Sequence, residues 1–182
     1  DVVIPEGVTS IGSIAFKDCK TITGARIPDS VTTIGGSAFL GCENLTAVDM
    51  GRGVKTLGNW AFCRCGKLRS VILPEGLEEI GDEAFAGMDF GRLVLPSTLK
   101  RIGKRAFFDC HGLKEVLLPW GLEAIDEGAF FRCGLEEITI PGSVSEIPAR
   151  AFINAEALTT VVIEEGVTSI GANAFGGSYS EV

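Results

Sequence analysis

The sequence contains very few side chains that combine an aromatic ring with a polar group. Its 182 residues include one Tyr, one His and two Trp, against 11 Phe. Phe contributes packing alone, whereas Tyr, Trp and His also take part in hydrogen bonding or proton transfer. His111 is the only possible imidazole base, and it lies in a polar loop beside Gly112. No nucleophile elbow, phosphate loop or dinucleotide fingerprint is present, so we expect neither enzyme activity nor a cofactor.

Basic charge and long apolar runs are also scarce. The 16 Lys and Arg are outnumbered by 24 Asp and Glu, for a net charge of −8. A broad phosphate-binding surface is therefore not expected, and nucleic acid is excluded as a predicted partner. No apolar run approaches the ~18 residues that span a bilayer, so we expect no direct membrane insertion.

A repeat dominates the sequence. The dipeptide Ala-Phe occurs eight times, and its Phe residues recur every 22 or 23 positions as a Phe column: Phe16, Phe39, Phe62, Phe85, Phe107, Phe130, Phe152 and Phe175. A repeat of this length cannot bury its own apolar side and must stack on its neighbours. The sequence predicts one domain over residues 1–182, a solenoid of eight coils with the Phe column as its structural core.

Two aliphatic positions and a proline position precede each Phe. The aliphatic residues stand five and eight positions before it, as Ile34 and Val31 stand before Phe39, and Pro stands eleven before it in six repeats. Pro cannot donate a hydrogen bond in a β-ladder and so marks the end of a strand. Each coil is predicted to contain a longer strand before the Pro, such as residues 68–73, then a short strand, then a helical or 3₁₀ corner that carries the Phe.

The repeat resembles the BspA-like leucine-rich repeat. Residues 28–42, Pro-Asp-Ser-Val-Thr-Thr-Ile-Gly-Gly-Ser-Ala-Phe-Leu-Gly-Cys, match that pattern closely, and the frame holds in eight copies. The resemblance implies a solenoid with a parallel β-sheet on the concave face, and short strands and 3₁₀ or helical corners on the convex side. Asp126 and Pro148 depart from the pattern, and we expect them to affect local geometry.

The resemblance also implies a function and a location. Such repeats serve adhesion or protein recognition without enzyme activity, so a protein partner at a microbial cell surface or outside the cell is expected. The alternative is a structural scaffold or linker subunit within a larger complex, in an intracellular or organellar location. The chain begins on an apolar strand without Met, so we expect a fragment of a longer chain, with neighbouring repeats or subunits covering its ends.

Five of the six cysteines share one position, three residues after the Phe: Cys19, Cys42, Cys65, Cys110 and Cys133. Met88 and Ala155 fill the same position elsewhere, which indicates a site for a small or soft apolar group. We predict buried free thiols there and no disulfides, because parallel side chains on stacked coils disfavour the S–S torsion. Cys63 is predicted to face outward, and Cys63-Arg64-Cys65 lacks the spacing of a zinc motif, so no metal is expected.

The position two residues before each Pro faces away from the core of the predicted longer strand. This outer row is Val3, Arg26, Asp49, Ile72, Val94, Leu117, Thr139 and Val162. A solvent-facing row should be polar, so its apolar members are unexpected. We predict a partner-binding surface formed by Ile72, Val94, Leu117, Thr139, Val162 and Trp120, with Arg92, Glu115, Glu137 and Thr160 beside it. The alternative is that branched side chains merely favour one another on a stacked sheet.

Charged residues of opposite sign alternate between neighbouring repeats. One column of the stacked frame contains Lys55, Glu78, Lys100 and Glu123. Residues at equivalent positions of adjacent coils lie about 4.8 Å apart, within reach of an ion pair. The sequence therefore predicts an exposed ion-pair ladder that helps to fix the register of the coils.

Overall fold

Short parallel strands stacked along one axis make up the computed structural model, which describes residues 1–177. In chain order the strands are β1 (Val2–Val3), β2 (Ser10–Ile11), β3 (Gly24–Ile27), β4 (Thr33–Ile34), β5 (Ala47–Met50), β6 (Thr56–Leu57), β7 (Glu79–Ile80), β8 (Arg92–Val94), β9 (Arg101–Ile102), β10 (Glu115–Leu117), β11 (Ala124–Ile125), β12 (Glu137–Ile140), β13 (Glu146–Ile147), β14 (Thr160–Ile163) and β15 (Ser169–Ile170). Every pairing among these strands is parallel. The fold is a parallel-strand β-solenoid of about seven turns, which confirms the predicted architecture.

Each turn of the solenoid contributes to two strand faces. The long-strand face contains β1, β3, β5, β8, β10, β12 and β14, and the short-strand face contains the other eight strands. In β5, Val48 and Met50 are buried whereas Ala47 and Asp49 are exposed. Side chains of a strand point alternately to its two sides, so one side of the long-strand face lines the core and the other meets solvent.

The corner around each Phe is a series of tight turns instead of the predicted helical or 3₁₀ segment. Across residues 1–177 the structure contains no helix. The residue two positions before every Phe of the column has a positive φ, for example +57° at Trp60 and +51° at Glu83. A left-handed residue interrupts the run of negative φ values that a right-handed helix requires. The helical prediction was wrong because most of these positions are not Gly, so the sequence carries no signal for a positive φ.

Consecutive corners are joined by a ladder of backbone hydrogen bonds, the corner ladder. In each of the first seven corners, the N–H groups of the Phe and of the residues two before and two after it donate to the next coil. The Phe39 N–H, for example, donates to the carbonyl oxygen of Ala61 at 2.8 Å. The intervening N–H groups close turns within their own coil. The corner ladder runs without a break from the first Phe of the column to the last, so every turn is bonded to the next through this edge.

The Phe column forms a continuous aromatic stack inside the solenoid. Neighbouring rings are nearly parallel, with centroids 5.1–5.7 Å apart and interplanar angles of 2–16°. The six inner rings are almost completely buried, whereas Phe16 and Phe175 are half-buried because each stacks on one ring only. Phe90 packs edge-on against Phe85, with centroids 5.6 Å apart. Stacking identical rings gives a dense core without any polar group that needs a partner.

The thiols lie beside the Phe stack, and all six cysteines are free. Four of them donate a hydrogen bond of 3.0–3.3 Å from Sγ to the carbonyl oxygen of the Phe in the preceding coil: Cys42, Cys65, Cys110 and Cys133. Burial raises the pKa of Cys42 to about 11 and that of Cys65 to about 12, because a thiolate would lose its hydration there. These thiols act as small core side chains with one weak donor each.

Two cysteines differ from the prediction. Cys19 is half-buried, since its coil is covered on one side only. Cys63 does not face outward but is 7% exposed, because the equivalent residues of the adjacent coils, Leu40 and Ala86, stack beside it. Burial accordingly raises the pKa of Cys63.

The long-strand face is interrupted in the fourth coil. Residues 68–73, predicted to be a strand, form none, and in the structure as described no backbone group from Arg69 to Leu73 takes part in a backbone hydrogen bond. The side-chain alternation persists, since Leu68 and Leu73 are buried and Ile72 is 83% exposed. This interruption separates β1–β3–β5 from β8–β10, and a second division separates β8–β10 from β12–β14.

The short-strand face is divided between β11 and β13, where Pro148 replaces the Gly of most other coils. In those coils the backbone N–H at this position donates to the preceding coil, as Gly103 does to the carbonyl oxygen of Ile80 at 2.8 Å. Pro148 has no N–H, so this bond is absent. The face splits into a six-stranded sheet ending at β11 and the pair β13–β15.

Candidate partner-binding site

The predicted partner-binding residues lie on the solvent side of the long-strand face. The exposed fractions are 83% for Ile72, 59% for Val94, 55% for Leu117, 47% for Val162 and 76% for Trp120, and Thr139 is exposed as well. Strand register sets them side by side, since Val94 in β8 pairs with Leu117 in β10. Thr139 and Val162 are paired in the same way in β12 and β14. Paired residues project to the same side of a sheet, so the row contains two aligned pairs, Val94 with Leu117 and Thr139 with Val162.

Five of these six residues line a single groove, the long-strand groove. It has a volume of about 590 Å³, and its lining includes Val94, Leu117, Trp120, Thr139 and Val162. Ile72 is not part of the lining and stands apart on the unpaired segment of the fourth coil. The structure thus brings the second half of the outer row together and leaves Ile72 outside.

The long-strand groove lies where the long-strand face is split between β10 and β12. These strands are neighbours but belong to different sheets. The backbone hydrogen bond closest to them, from Glu136 N–H to Lys114 O at 3.2 Å, comes just before both strands begin. Val116 and Ile138, which point toward the core, contribute to the floor of the groove although they are only 4% and 3% exposed. The split therefore produces an apolar depression beneath the exposed row.

The rim of the long-strand groove is acidic. Its lining contains Glu75, Glu115, Glu137 and Glu164, and no Lys or Arg. Glu115 is neutralised by Arg92, with Nε and Oε2 3.2 Å apart. Within residues 1–177 the other three carboxylates take part in no ion pair. The groove is therefore apolar in its floor and negatively charged at its edge.

Two of the rim carboxylates were missed by the sequence analysis. The sequence pattern predicts Glu115 and Glu137 beside the outer row, but it does not single out Glu75 or Glu164. Glu75 accepts hydrogen bonds from Ser97, including one of 2.9 Å from its hydroxyl, and Glu164 accepts one from the Gly142 N–H. Glu164 occupies the proline position and Glu75 follows Pro74, so an alignment of the repeats indicates both at the end of the outer row.

A separate charged network covers the short-strand face. The Glu127 carboxylate forms ion pairs with Lys104 at 3.0 Å and with Arg150 at 3.2 Å. The hydrogen bond from Lys104 lowers the pKa of Glu127. Two of the three steps of the predicted ladder are ion pairs, Lys55–Glu78 at 3.8 Å and Lys100–Glu123 at 3.1 Å. These charges are matched within the chain, so they hold neighbouring coils in register and leave little charge for a ligand.

Neither a metal centre nor a membrane span is found in the part of the chain that the structure describes. No three or more His, Cys, Asp or Glu side chains there converge as a metal site. No helix in that part is long and apolar enough to cross a bilayer. The long-strand groove is the candidate site.

Comparison with known proteins identifies the repeat. The family profile described as "BspA type Leucine rich repeat region" matches in six copies, over residues 1–94 and 79–181. A leucine-rich cell surface protein from Faecalibacterium prausnitzii A2-165 is 32% identical, with a TM-score of 0.81 over 89% of this chain. The chain spans about half of that protein, 47% of its length.

Two further solved structures share the fold. The T. pallidum leucine-rich repeat protein is 25% identical, with a TM-score of 0.69, covering 93% of this chain and 72% of that one. The pneumococcal vaccine antigen PcpA is 21% identical with a TM-score of 0.61, covering 96% of this chain and 57% of that one, which shows likeness of fold alone. No curated protein matches the sequence significantly. With the repeat profile matching nearly its whole length, this chain belongs to the BspA-type leucine-rich repeat family.

Proposed function

We propose that this chain is a non-enzymatic protein-binding module for recognition or adhesion at a bacterial cell surface, and that its partner docks in the long-strand groove. The observation that carries the proposal is the exposed apolar row in that groove. Arg26 and Asp49 occupy the outer row in earlier coils and are paired with each other at 3.4 Å. From Ile72 onward the row is apolar except for Thr139, and a contiguous exposed apolar surface of this kind is typical of an interaction surface.

Leu117 and Trp120 have the properties of interface anchors. Both side chains are more than half exposed in the free chain, and burying a Leu side chain fully is worth about 1.5–3 kcal/mol. Trp is among the residues whose truncation most weakens protein interfaces. The propensity of branched side chains for strands accounts for Val94 but not for Trp120, which follows Pro119 outside the strand.

The proposed location rests on the relatives. The family profile covers the chain, and the F. prausnitzii structure is described as a cell surface protein. Solenoids of this kind present extended surfaces along their length, which suits the recognition of other proteins. The alternative, a scaffold within a permanent complex, uses the same groove but keeps it covered at all times.

The test compares two triple variants in the capture of proteins from cell-surface extracts. The groove variant is Val94→Thr/Leu117→Thr/Trp120→Ser. The control variant, Val3→Thr/Ile14→Ser/Ile170→Thr, removes exposed apolar side chains outside the groove. We expect the proteins retained by the parent chain to fall at least tenfold with the groove variant and to persist with the control, as quantified by mass spectrometry. Equal retention by all three proteins contradicts the proposal.

Fluorescence distinguishes a transient partner from a permanent one. Trp60→Phe leaves Trp120 as the single Trp of the chain. If the purified chain is free, Trp120 is quenched by iodide as an exposed indole, and added partner protects it. If Trp120 is already protected from iodide in the chain as first isolated, and another subunit co-purifies with it, the scaffold alternative is favoured.

A further inference from the structure

We infer that the occupant of the long-strand groove is a cationic amphipathic polypeptide segment, with apolar side chains in the groove and Lys or Arg side chains against its rim. The inference rests on the proposed function and specifies the class of partner. It is carried by the combination of an apolar floor with carboxylates that have no cationic partner within the described chain.

The charges of the long-strand groove are unbalanced in one direction. Arg92, Lys100 and Lys114 are basic residues close to it, Lys100 through a hydrogen bond to the carbonyl oxygen of Gly121. Each is already paired, with Glu115 at 3.2 Å, Glu123 at 3.1 Å and Glu136 at 3.3 Å. Glu75, Glu137 and Glu164 are left without a cation in the described structure. The chain as a whole carries a net charge of −8, so the long-range field also attracts a cationic partner and repels an anionic one.

The carboxylates lie on both sides of the apolar row. Glu137 precedes Thr139 by two residues on the same side of β12, so it flanks the row toward the start of the strands. Glu75 lies in the turn after Pro74 and Glu164 directly follows β14, so they flank the row on its other side. A segment that lies along the row therefore meets negative charge on both flanks, which matches apolar side chains directed into the groove and long Lys or Arg side chains that reach to either side.

Burial makes the requirement for a cation stronger. A purely apolar partner would take these carboxylates out of water without replacing their hydration, and an unpaired buried charge is strongly destabilising. A Lys or Arg side chain instead forms an ion pair as the water leaves, and its methylene stem covers apolar surface. The geometry thus selects against neutral and acidic segments while it attracts basic ones.

The apolar row determines the size of the contact. Coils are spaced by about 4.8 Å, so the row from Val94 to Val162 extends over roughly 15 Å. An extended segment rises about 3.3 Å per residue, so roughly five residues of the partner lie along the row. Contacts of this size are small, and we expect micromolar affinity for an isolated peptide.

The probe is a short peptide with a central leucine pair flanked by lysines, titrated into the Trp60→Phe chain while the fluorescence of Trp120 is recorded. Two comparison peptides have every lysine replaced by glutamate or every leucine by serine. We expect the leucine–lysine peptide to bind at least tenfold more tightly than either, with an affinity that falls as salt is raised. Equal binding of the lysine and glutamate peptides overturns the inference.

Variants with neutral side chains show whether the rim carboxylates are responsible for the binding of the peptide. In the Trp60→Phe background, Glu75→Gln/Glu137→Gln/Glu164→Gln keeps the apolar floor and removes the rim charges, and we expect at least a tenfold loss of affinity for the leucine–lysine peptide. Glu6→Gln/Glu78→Gln/Glu146→Gln changes the net charge equally at positions outside the groove and should bind as the parent does. Unfolding temperatures of both variants serve to check that the fold is retained.

The outcomes separate the inference from the proposed function. If the Val94→Thr/Leu117→Thr/Trp120→Ser variant loses its captured partner but the rim variant binds the leucine–lysine peptide as tightly as the parent does, the function stands and the inference is wrong. The groove variant lacks Trp120, so its binding of the peptide is measured by isothermal titration calorimetry alongside the parent chain. If the groove variant retains both the captured partner and the peptide, both are wrong. If the groove and rim variants each lose the peptide and the control variants do not, both are supported.

Discussion

The Sγ atom of Cys65 lies 3.1 Å from the carbonyl oxygen of Phe39 in the preceding coil and donates a hydrogen bond to it. The same oxygen accepts the N–H of Cys42 at 3.1 Å, closing a turn within its own coil. A carbonyl has two lone pairs, and both are used here. The thiol thereby connects a core side chain to the backbone of the corner ladder, which gives a physical reason for cysteine at this position.

Replacing Cys65 tests this connection. Cys65→Ala removes the donor and leaves a small cavity in a fully buried site, so we expect a loss of about 1–3 kcal/mol in the free energy of unfolding. Cys65→Ser retains a donor of similar size and serves as the comparison. Urea unfolding followed by circular dichroism measures both. A Cys65→Ala variant as stable as the parent chain would show that the bond contributes nothing.

The raised thiol pKa values predict a loss of stability in alkali. In the native chain the pKa of Cys65 is about 12, against an ordinary value of 9.0 that applies to the unfolded chain. The raised pKa of Cys65 contributes its full share to the free energy of unfolding below pH 9, where the thiol is protonated in both the native and the unfolded chain. Above that pH the unfolded chain releases a proton that the native chain retains, so the free energy of unfolding falls by about 1.4 kcal/mol per pH unit for such a thiol.

Urea unfolding between pH 9 and pH 11 measures that slope. The Cys65→Ala variant lacks this thiol, so its stability should decline less steeply, and the gap between variant and parent should narrow as the pH rises. Identical slopes for the two proteins would contradict the assignment of the raised pKa to the native state.

Position within the Phe stack predicts how much each ring contributes. Phe107 lies between Phe85 and Phe130, with centroids 5.7 and 5.2 Å away, and Phe107→Ala should cost about 3–5 kcal/mol. Phe175 stacks on Phe152 only and is half-buried, so Phe175→Ala should cost less. Equal losses in the free energy of unfolding, measured by denaturant titration of the two variants, would be inconsistent with a stability that depends on contacts between neighbouring coils.

Ile14 offers a stabilising substitution. This residue has φ of +59° and is 63% exposed, and a β-branched side chain is strained in the left-handed region. Ile14→Asn relieves that strain without removing core packing, so we expect the unfolding temperature to rise by a few degrees. Ile72→Asn is the matched control, because Ile72 is exposed without a positive φ. A fall in the unfolding temperature of Ile14→Asn alone would argue against strain at this corner.

Hydrogen exchange tests the interruption in the fourth coil. The amides of residues 70–73 have no backbone partner in the structure, whereas those of Phe62 and Phe85 donate to the next coil at 2.9 Å. We expect the former to exchange roughly 100-fold faster or more, because they need no opening of the structure to reach water. Equal protection factors, measured by mass spectrometry or NMR, would indicate that the strand is paired after all.

The sequence predicted features that belong to one repeat and missed those that depend on two. The Phe column and the outward position of Leu117 follow from the pattern within a coil, because the side-chain alternation of a strand is local. The lack of pairing at residues 68–73 is invisible in the pattern of Leu68 and Leu73, which is intact. A ladder requires suitable backbone on both neighbouring coils, and periodicity describes only one coil at a time.

The candidate site shows the same limit. The apolar members of its row were predicted from their positions. The groove, however, exists because β10 and β12 are not paired, and no residue in the sequence indicates that these strands remain unpaired. Glu75 and Glu164 come to the rim through the stacking of coils that are far apart in sequence. At Pro148, by contrast, the division of the short-strand face has a cause in the sequence, since a residue without an N–H stands where a donor is needed.

The unbroken corner ladder has a mechanical consequence. One edge of the rod is bonded at every turn, whereas both strand faces are divided into blocks. Bending should therefore pivot about the corner edge, because few backbone hydrogen bonds outside the corner ladder, such as that from the Glu136 N–H to the Lys114 carbonyl oxygen, resist a change in the spacing of the blocks at the groove. Since the long-strand groove lies at one of these divisions, its width is the dimension that a small flexion of the rod changes most directly.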